Sequence, residues 1–280
     1  MMDSPDHFAA YSFVDRIDAF EPGRAAHATY AVPPNVRFPA CLVAEAVGQL
    51  AAWVTMERVD YRGRPVAALA TETRFEGDAH AGATLELSVV LDQCDDEAVA
   101  YGGEARAGGR RLVELVDCLG PMLPVADFDD PDALRARFAL LRGHGAAPGR
   151  FRGIPSFHVE TQERVPGVSL RARLEVPASA PFFNDHFPRR PVFPATLLLD
   201  TQIGLALDLA READWAAARG VVPHKGTHVK MRSFIAPGQV LDLAIDLKPP
   251  VDGVARAMMQ AATDGRTVAG ARLELQVGHG

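Results

Sequence analysis

Apolar residues fall into two long helical runs, and each run is followed by stretches in which apolar and polar positions alternate. The first run, residues 40–57, is apolar on nearly every side, which predicts a helix buried all round. Its conspicuous polar residues, Glu45 and Gln49, lie one turn apart and share a face. Alternation then predicts strands near 65–75, 83–93, 97–106 and 111–120, with Gly108-Gly109 as a hairpin turn. Ahead of the helix, residues 8–20 and 26–33 read as a short element and a strand, split by Glu21-Pro22-Gly23. The second half repeats the plan: strands near 155–163 and 168–176, a helix at 195–213, then strands near 221–234, 239–248, 254–263 and 267–277. Runs of strands around segregated helices predict the α+β class. Pro121, Pro124, Asp129-Asp130-Pro131, a short basic helix over Asp132–Arg142 and the Gly143–Gly149 stretch read as a linker. The expected division is a first domain at 1–125, a linker at 126–150 and a second domain at 151–280.

The halves also share words. Phe38-Pro39-Ala40 leads into the first helix and Phe193-Pro194-Ala195 into the second. A carboxylate follows at the same distance in each, Glu45 and Asp200. A weaker echo joins Arg74-Phe75 and Gly82–Leu87 to Arg232–Phe234 and Gly238–Leu243. Two matches in the same order indicate an internal repeat, with copies offset by 155 residues. Under that offset His186 corresponds to Ala31, and Gln49 corresponds to Gly204.

Bulk composition narrows the field. At 280 residues, 48% hydrophobic and 23% charged, the chain suits two globular domains. A net charge of −7 argues against nucleic-acid binding. No basic-then-apolar leader and no long apolar run appear, so no membrane association is expected and a cytoplasmic setting is. Cys41, Cys94 and Cys118 are odd in number and lack paired spacing, as befits reduced core residues. No phosphate-cradling Gly-rich loop or metal motif appears, and no cofactor is expected.

Candidate chemistry gathers at residues 181–200. His186 sits in a loop stiffened by Pro181, Pro188, Pro191 and Pro194, each fixing φ and removing a backbone donor. Right after Pro194 a helix start would aim free N–H groups beside that loop. A braced histidine near exposed peptide donors suits acid–base work. Gln49 also reads more plainly, as a residue that only satisfies a buried Glu45. The other histidines (His7, His27, His80, His144, His158, His224, His228, His279) lack such a setting and read as surface or structural.

The run His186-Phe187-Pro188, Pro191-Val192-Phe193-Pro194 and Asp200, fourteen residues after His186, resembles the 3-hydroxyacyl-acyl-carrier-protein dehydratases of the hotdog fold. The resemblance implies a double hotdog, with one long helix wrapped by an antiparallel sheet in each half. It implies a composite site in which His186 of one half faces Glu45 and Gln49 of the other. His186 would be the base and Glu45, neutral on its apolar helix, the acid. Ala195 or Ala40 at the helix starts would bind the thioester carbonyl, and Phe193 and Phe187 would contact substrate. Arg189 and Arg190 would meet the phosphopantetheine or its acyl carrier protein, with acyl-CoA as the other thioester partner. The implied reaction is dehydration of (3R)-3-hydroxyacyl thioesters to trans-2-enoyl thioesters in fatty acid or polyketide-type biosynthesis. A hotdog acyl thioesterase and a decayed acyl-binding module are the competing readings. Pairing of two such chains into a homodimer is left open. The chain departs from the family at Arg189, Ala40 and Ala195, where glycine is usual.

Overall fold

The computed structural model describes residues 7–216 and 220–278; His279 lies outside the described residues. In chain order the elements are β1 (Arg16–Glu21), β2 (Ala25–Ala31), α1 (Ala40–Arg58), β3 (Gly63–Pro65), β4 (Leu69–Phe75), β5 (Thr84–Cys94), β6 (Ala98–Ala107) and β7 (Arg110–Pro124). After α2 (Pro131–Arg142) come β8 (His158–Val165), β9 (Ser169–Glu175), α3 (Ala195–Arg211), β10 (Val221–Met231), β11 (Val240–Val251), β12 (Val254–Thr263) and β13 (Arg266–Val277).

The thirteen strands form one sheet, ordered β1-β2-β5-β6-β7-β4-β10-β13-β12-β11-β9-β8, with β3 added on β7. All pairings are antiparallel. Read inward from either end, the two halves have the same order, and the β4–β10 ladder joins them. The alternation behind this is plain in β5, where Leu85, Leu87, Val89 and Leu91 point inward, and in β11, where Leu241, Leu243, Ile245 and Leu247 do. These inward rows wrap the two helices.

α1 starts behind Pro39, and its residues from Ala40 to Val47 are buried except Glu45. It ends where Asp60 and Tyr61 adopt positive φ, a backbone state that stops a helix. Gly103 on β6 lets α1 come close: a Cβ there would stand 2.7 Å from Val47 Cγ1 and 2.5 Å from the Ser88 carbonyl oxygen. α3 begins behind Pro194 in the same way and also touches α1.

The stretch expected to be a linker is packed, not loose. Asp130 caps α2, its carboxylate accepting from the Asp132 and Ala133 N–H groups, and Pro131 opens the helix. Phe128, Leu134 and Leu141 are buried. Phe138 on α2 lies against Phe20 and Trp53 of the first half. Residues 7–14, read from sequence as part of a short element, run irregularly ahead of β1 and reach across to the His186 loop. Among the described residues no helix is long and apolar enough to cross a membrane.

Candidate active site

The loop carrying His186 is closed on itself. Val192 N–H donates to the His186 carbonyl at 2.9 Å, and His186 Nδ1 lies 2.8 Å from the Val192 carbonyl oxygen. A carbonyl can only accept, so Nδ1 carries the proton and Nε2 is left with a free lone pair. Burial holds the imidazole below its ordinary pKa, while the nearby Glu45 carboxylate pulls the other way. The ring stacks on Phe187 at 4.1 Å and meets Tyr11 edge-on at 5.9 Å.

Glu45 comes from α1 of the other half. One oxygen accepts from Gln49 Nε2 at 3.0 Å, the other from the Thr196 hydroxyl at 2.8 Å. Thr196 is the second residue of α3, so this bond crosses between halves. Its hydroxyl in turn lies 2.8 Å from the Tyr11 hydroxyl. With Thr196 donating to Glu45, Tyr11 donates to Thr196, giving a relay Tyr11–Thr196–Glu45. Burial and the Glu45 charge hold the Tyr11 phenol well above its usual pKa, so it stays a neutral donor.

Gln49 does more than satisfy Glu45. Its Oε1 accepts from Phe13 N–H at 2.8 Å, and its Nε2 also donates to the Tyr11 carbonyl at 2.9 Å. The amide therefore fixes both the carboxylate and the segment that supplies Tyr11. Asp185, directly before His186, ties down the same segment, accepting from the Phe8 and Tyr11 N–H groups at 2.6 Å each and from the Ser12 hydroxyl at 3.1 Å. Burial raises its pKa against those bonds.

The structure thus brings His186, Glu45 and Gln49 into one neighbourhood and keeps Asp200 out of it. Asp200 pairs with Arg37, 3.2 Å away, and not with Thr201, whose hydroxyl donates to the Leu197 carbonyl. Of the two helix starts expected to hold a carbonyl oxygen, Ala40 is taken: its N–H donates to Asp78 Oδ1 at 2.9 Å. Ala195 stands behind Pro194 with no such side-chain acceptor among the described residues. Phe193, expected to touch substrate, is a core residue, 1% exposed, whose ring packs against Phe157 at 5.1 Å. Phe187 is buried too, but against His186. Arg189 is committed to the inter-half segment, bonding the Ala126 carbonyl and Asp130, and Arg190 lies over the Phe234 ring at 4.6 Å.

Sequence reasoning missed Tyr11, Thr196, Asp185 and Arg64. Asp185 and Thr196 adjoin motif residues, and Thr196 stands where the first copy has Cys41, a difference that comparing the copies could have flagged. Tyr11 and Arg64 are distant in sequence from both motifs and carry no local signal. His7 is structural, its buried ring 3.5 Å from Asp129.

A long helix wrapped by an antiparallel sheet in each half, with the His186 loop of one half near the Glu45 helix of the other, defines a hotdog-fold protein of the dehydratase and thioesterase class. Known proteins agree. Residues 161–268 match the ApeI-like family, described as ApeI dehydratase. The 3-hydroxyacyl-acyl-carrier-protein dehydratase FabZ of Clostridium botulinum (strain Langeland) is 37% identical over 118 residues, 40% of this chain and 78% of the relative. FabZ of Ruminiclostridium cellulolyticum is 31% identical over 108 residues, 38% of this chain and 75% of the relative. Among solved structures, a tesB protein of Mycobacterium avium subspecies paratuberculosis aligns with a TM-score of 0.56 at 14% identity, over 94% of this chain and 96% of that one. The 12:0-ACP thioesterase of Umbellularia californica aligns with a TM-score of 0.53 at 12% identity, over 98% of each chain. The chain belongs to the FabZ family of 3-hydroxyacyl-acyl-carrier-protein dehydratases.

Proposed function

We propose that this protein is a double hotdog that dehydrates (3R)-3-hydroxyacyl thioesters to trans-2-enoyl thioesters at one composite site per chain. Its two hotdogs are residues 1–125 and 151–280, joined by 126–150. The observation that carries the proposal is the crossing of halves at Glu45, held by Thr196 next to the His186 loop. His186 Nε2 takes the C2 proton as base, in the tautomer that the Val192 carbonyl selects. The electron pair of the broken C2–H bond becomes the C2–C3 double bond. The hydroxyl leaves C3 as water, with a proton from Glu45. Before that step Glu45 is protonated and the Thr196 hydroxyl points toward Tyr11. Afterwards Thr196 donates to the carboxylate, and the imidazolium proton returns to Glu45 to close the cycle. Gln49 holds the carboxyl in place throughout. The Ala195 N–H at the start of α3 is a donor for the thioester oxygen, where negative charge develops.

The substrate carrier is an acyl carrier protein or CoA, in fatty acid or polyketide-type biosynthesis. A thioesterase is the second reading, favoured by the 12:0-ACP thioesterase that matches almost the whole chain in fold. It needs a carboxylate and a water but has no use for His186. Incubation with 3-hydroxybutyryl and crotonyl thioesters, following enoyl absorbance and free thiol together, separates the two. Reversible enoyl formation without thiol release supports the dehydratase; thiol release without enoyl change overturns it.

A further inference from the structure

Arg64 on β3 is a buried cation that the proposed chemistry leaves unused. Its side chain is 15% exposed, its nearest anion, Asp129, is 3.7 Å away, and its Nη1 makes no hydrogen bond. A charge so placed is unfavourable unless something nearby compensates it. Its Cζ lies 4.1 Å from the centroid of the Phe187 ring, and the His186 ring stacks on that same ring at 4.1 Å. Guanidinium and imidazole therefore both pack against the one Phe187 ring.

We infer that Arg64 is a positioning residue: packed on the same Phe187 ring as His186, its positive charge opposes protonation of the imidazole and so keeps it ready to accept a proton. This rests on the reading of His186 as the base. Although burial holds the guanidinium at about 10, against Asp129, Glu45 and Asp185, it remains a cation at neutral pH. The other groups around His186 do not duplicate it. Glu45 on α1 pulls toward imidazolium. Tyr11 is neutral, Asp185 is engaged by the 8–12 segment, and Asp129, the anion beside Arg64, also lies against His7.

The test is the titration of the His186 C2 proton by NMR, with the pH profile of kcat/KM beside it, in the unaltered chain, Arg64→Met and Arg64→Lys. Removing the charge makes the imidazolium easier to form, so Arg64→Met should raise the His186 midpoint by roughly one pH unit, and the acid limb with it. Arg64→Lys, which keeps the charge, should leave the midpoint within a few tenths of a unit. An Arg64→Met chain that loses activity equally at every pH with an unmoved midpoint would make Arg64 a packing residue and overturn the inference. If Arg64→Met does not fold, the lysine variant decides: a midpoint near that of the unaltered chain supports the inference, and one raised by a full unit overturns it. The NMR midpoint needs no turnover, so a failed dehydratase assay would count against the proposed reaction without touching this result.

Discussion

The two halves share a framework and end in opposite chemistry. Where the second half presents His186, the first presents Ala31; where the first has Gln49 beside Glu45, the second has Gly204 beside Asp200. The N-terminus of α3 is open at Ala195, while that of α1 is stoppered by Asp78. Asp200 pairs with Arg37 instead. The contrast bears on how polar groups settle where the other half's partner is absent from the equivalent position. The remaining polar groups stay partly buried, and each needs a new partner. Asp200 shows the strain of this: burial pushes its carboxyl above the usual range, and Arg37 pulls it back.

Breaking the proposed site should cost most. His186→Ala should lower dehydration roughly 10²–10⁴-fold, and Glu45→Gln by a similar factor, with unchanged circular dichroism. Turnover equal to that of the unaltered chain in either variant would remove that residue from the chemistry. Thr196→Val keeps the shape and deletes the donor to Glu45. A hydrogen bond to a charged group contributes about 1.5–3 kcal/mol, so a loss of roughly tenfold to a hundredfold is expected in kcat with little change in KM. A loss confined to KM would show that Thr196 binds substrate instead.

Much of this contrast is legible in the sequence, because it is written in local spacing. The two helices are expected at 40–57 and 195–213 and lie at Ala40–Arg58 and Ala195–Arg211. An all-apolar run between a Pro and a turn leaves the chain little choice. Most strands of both halves follow period-two alternation, β5 and β11 most plainly, whereas β8 is exposed along nearly its whole length. Glu45 and Gln49 stand out as polar residues on an apolar helix. Tyr11 and Arg64 do not, because what makes them notable is a neighbour supplied by the fold. Phe193 misleads for the converse reason: it sits inside the motif, yet its backbone N–H is held by the Ile235 carbonyl and its ring turns to the core.

Smaller effects sharpen the comparison. His186 is held below its ordinary value of 6.5 mainly by burial, which disfavours the imidazolium. Its proton-accepting form therefore persists to lower pH, and the acid limb of kcat/KM should fall below pH 6.5. A limb above about pH 7 would mean that Glu45, not burial, governs the ring. Smallest of all should be Asp200→Asn. Activity should stay within about twofold, and stability should change by less than about 1 kcal/mol, since Arg37 is largely exposed. Chemical denaturation and steady-state rates check both. Should Asp200→Asn abolish turnover while Glu45→Gln does not, the crossed arrangement is wrong.

The β4–β10 ladder has a consequence for anyone who wishes to handle the halves apart. It runs from Lys225 opposite Arg74 to Lys230 opposite Leu69, and among the described residues it is the sheet's only bridge between halves. A split between α2 and β8 would leave each fragment with a bare strand edge, its peptide groups seeking the nearest complement. Produced together, the fragments should reassemble and regain the site; produced singly, each is left to aggregate or to pair with its own kind. The ladder therefore works as a built-in selector of partners, keeping the helix that carries Glu45 beside the half that carries His186.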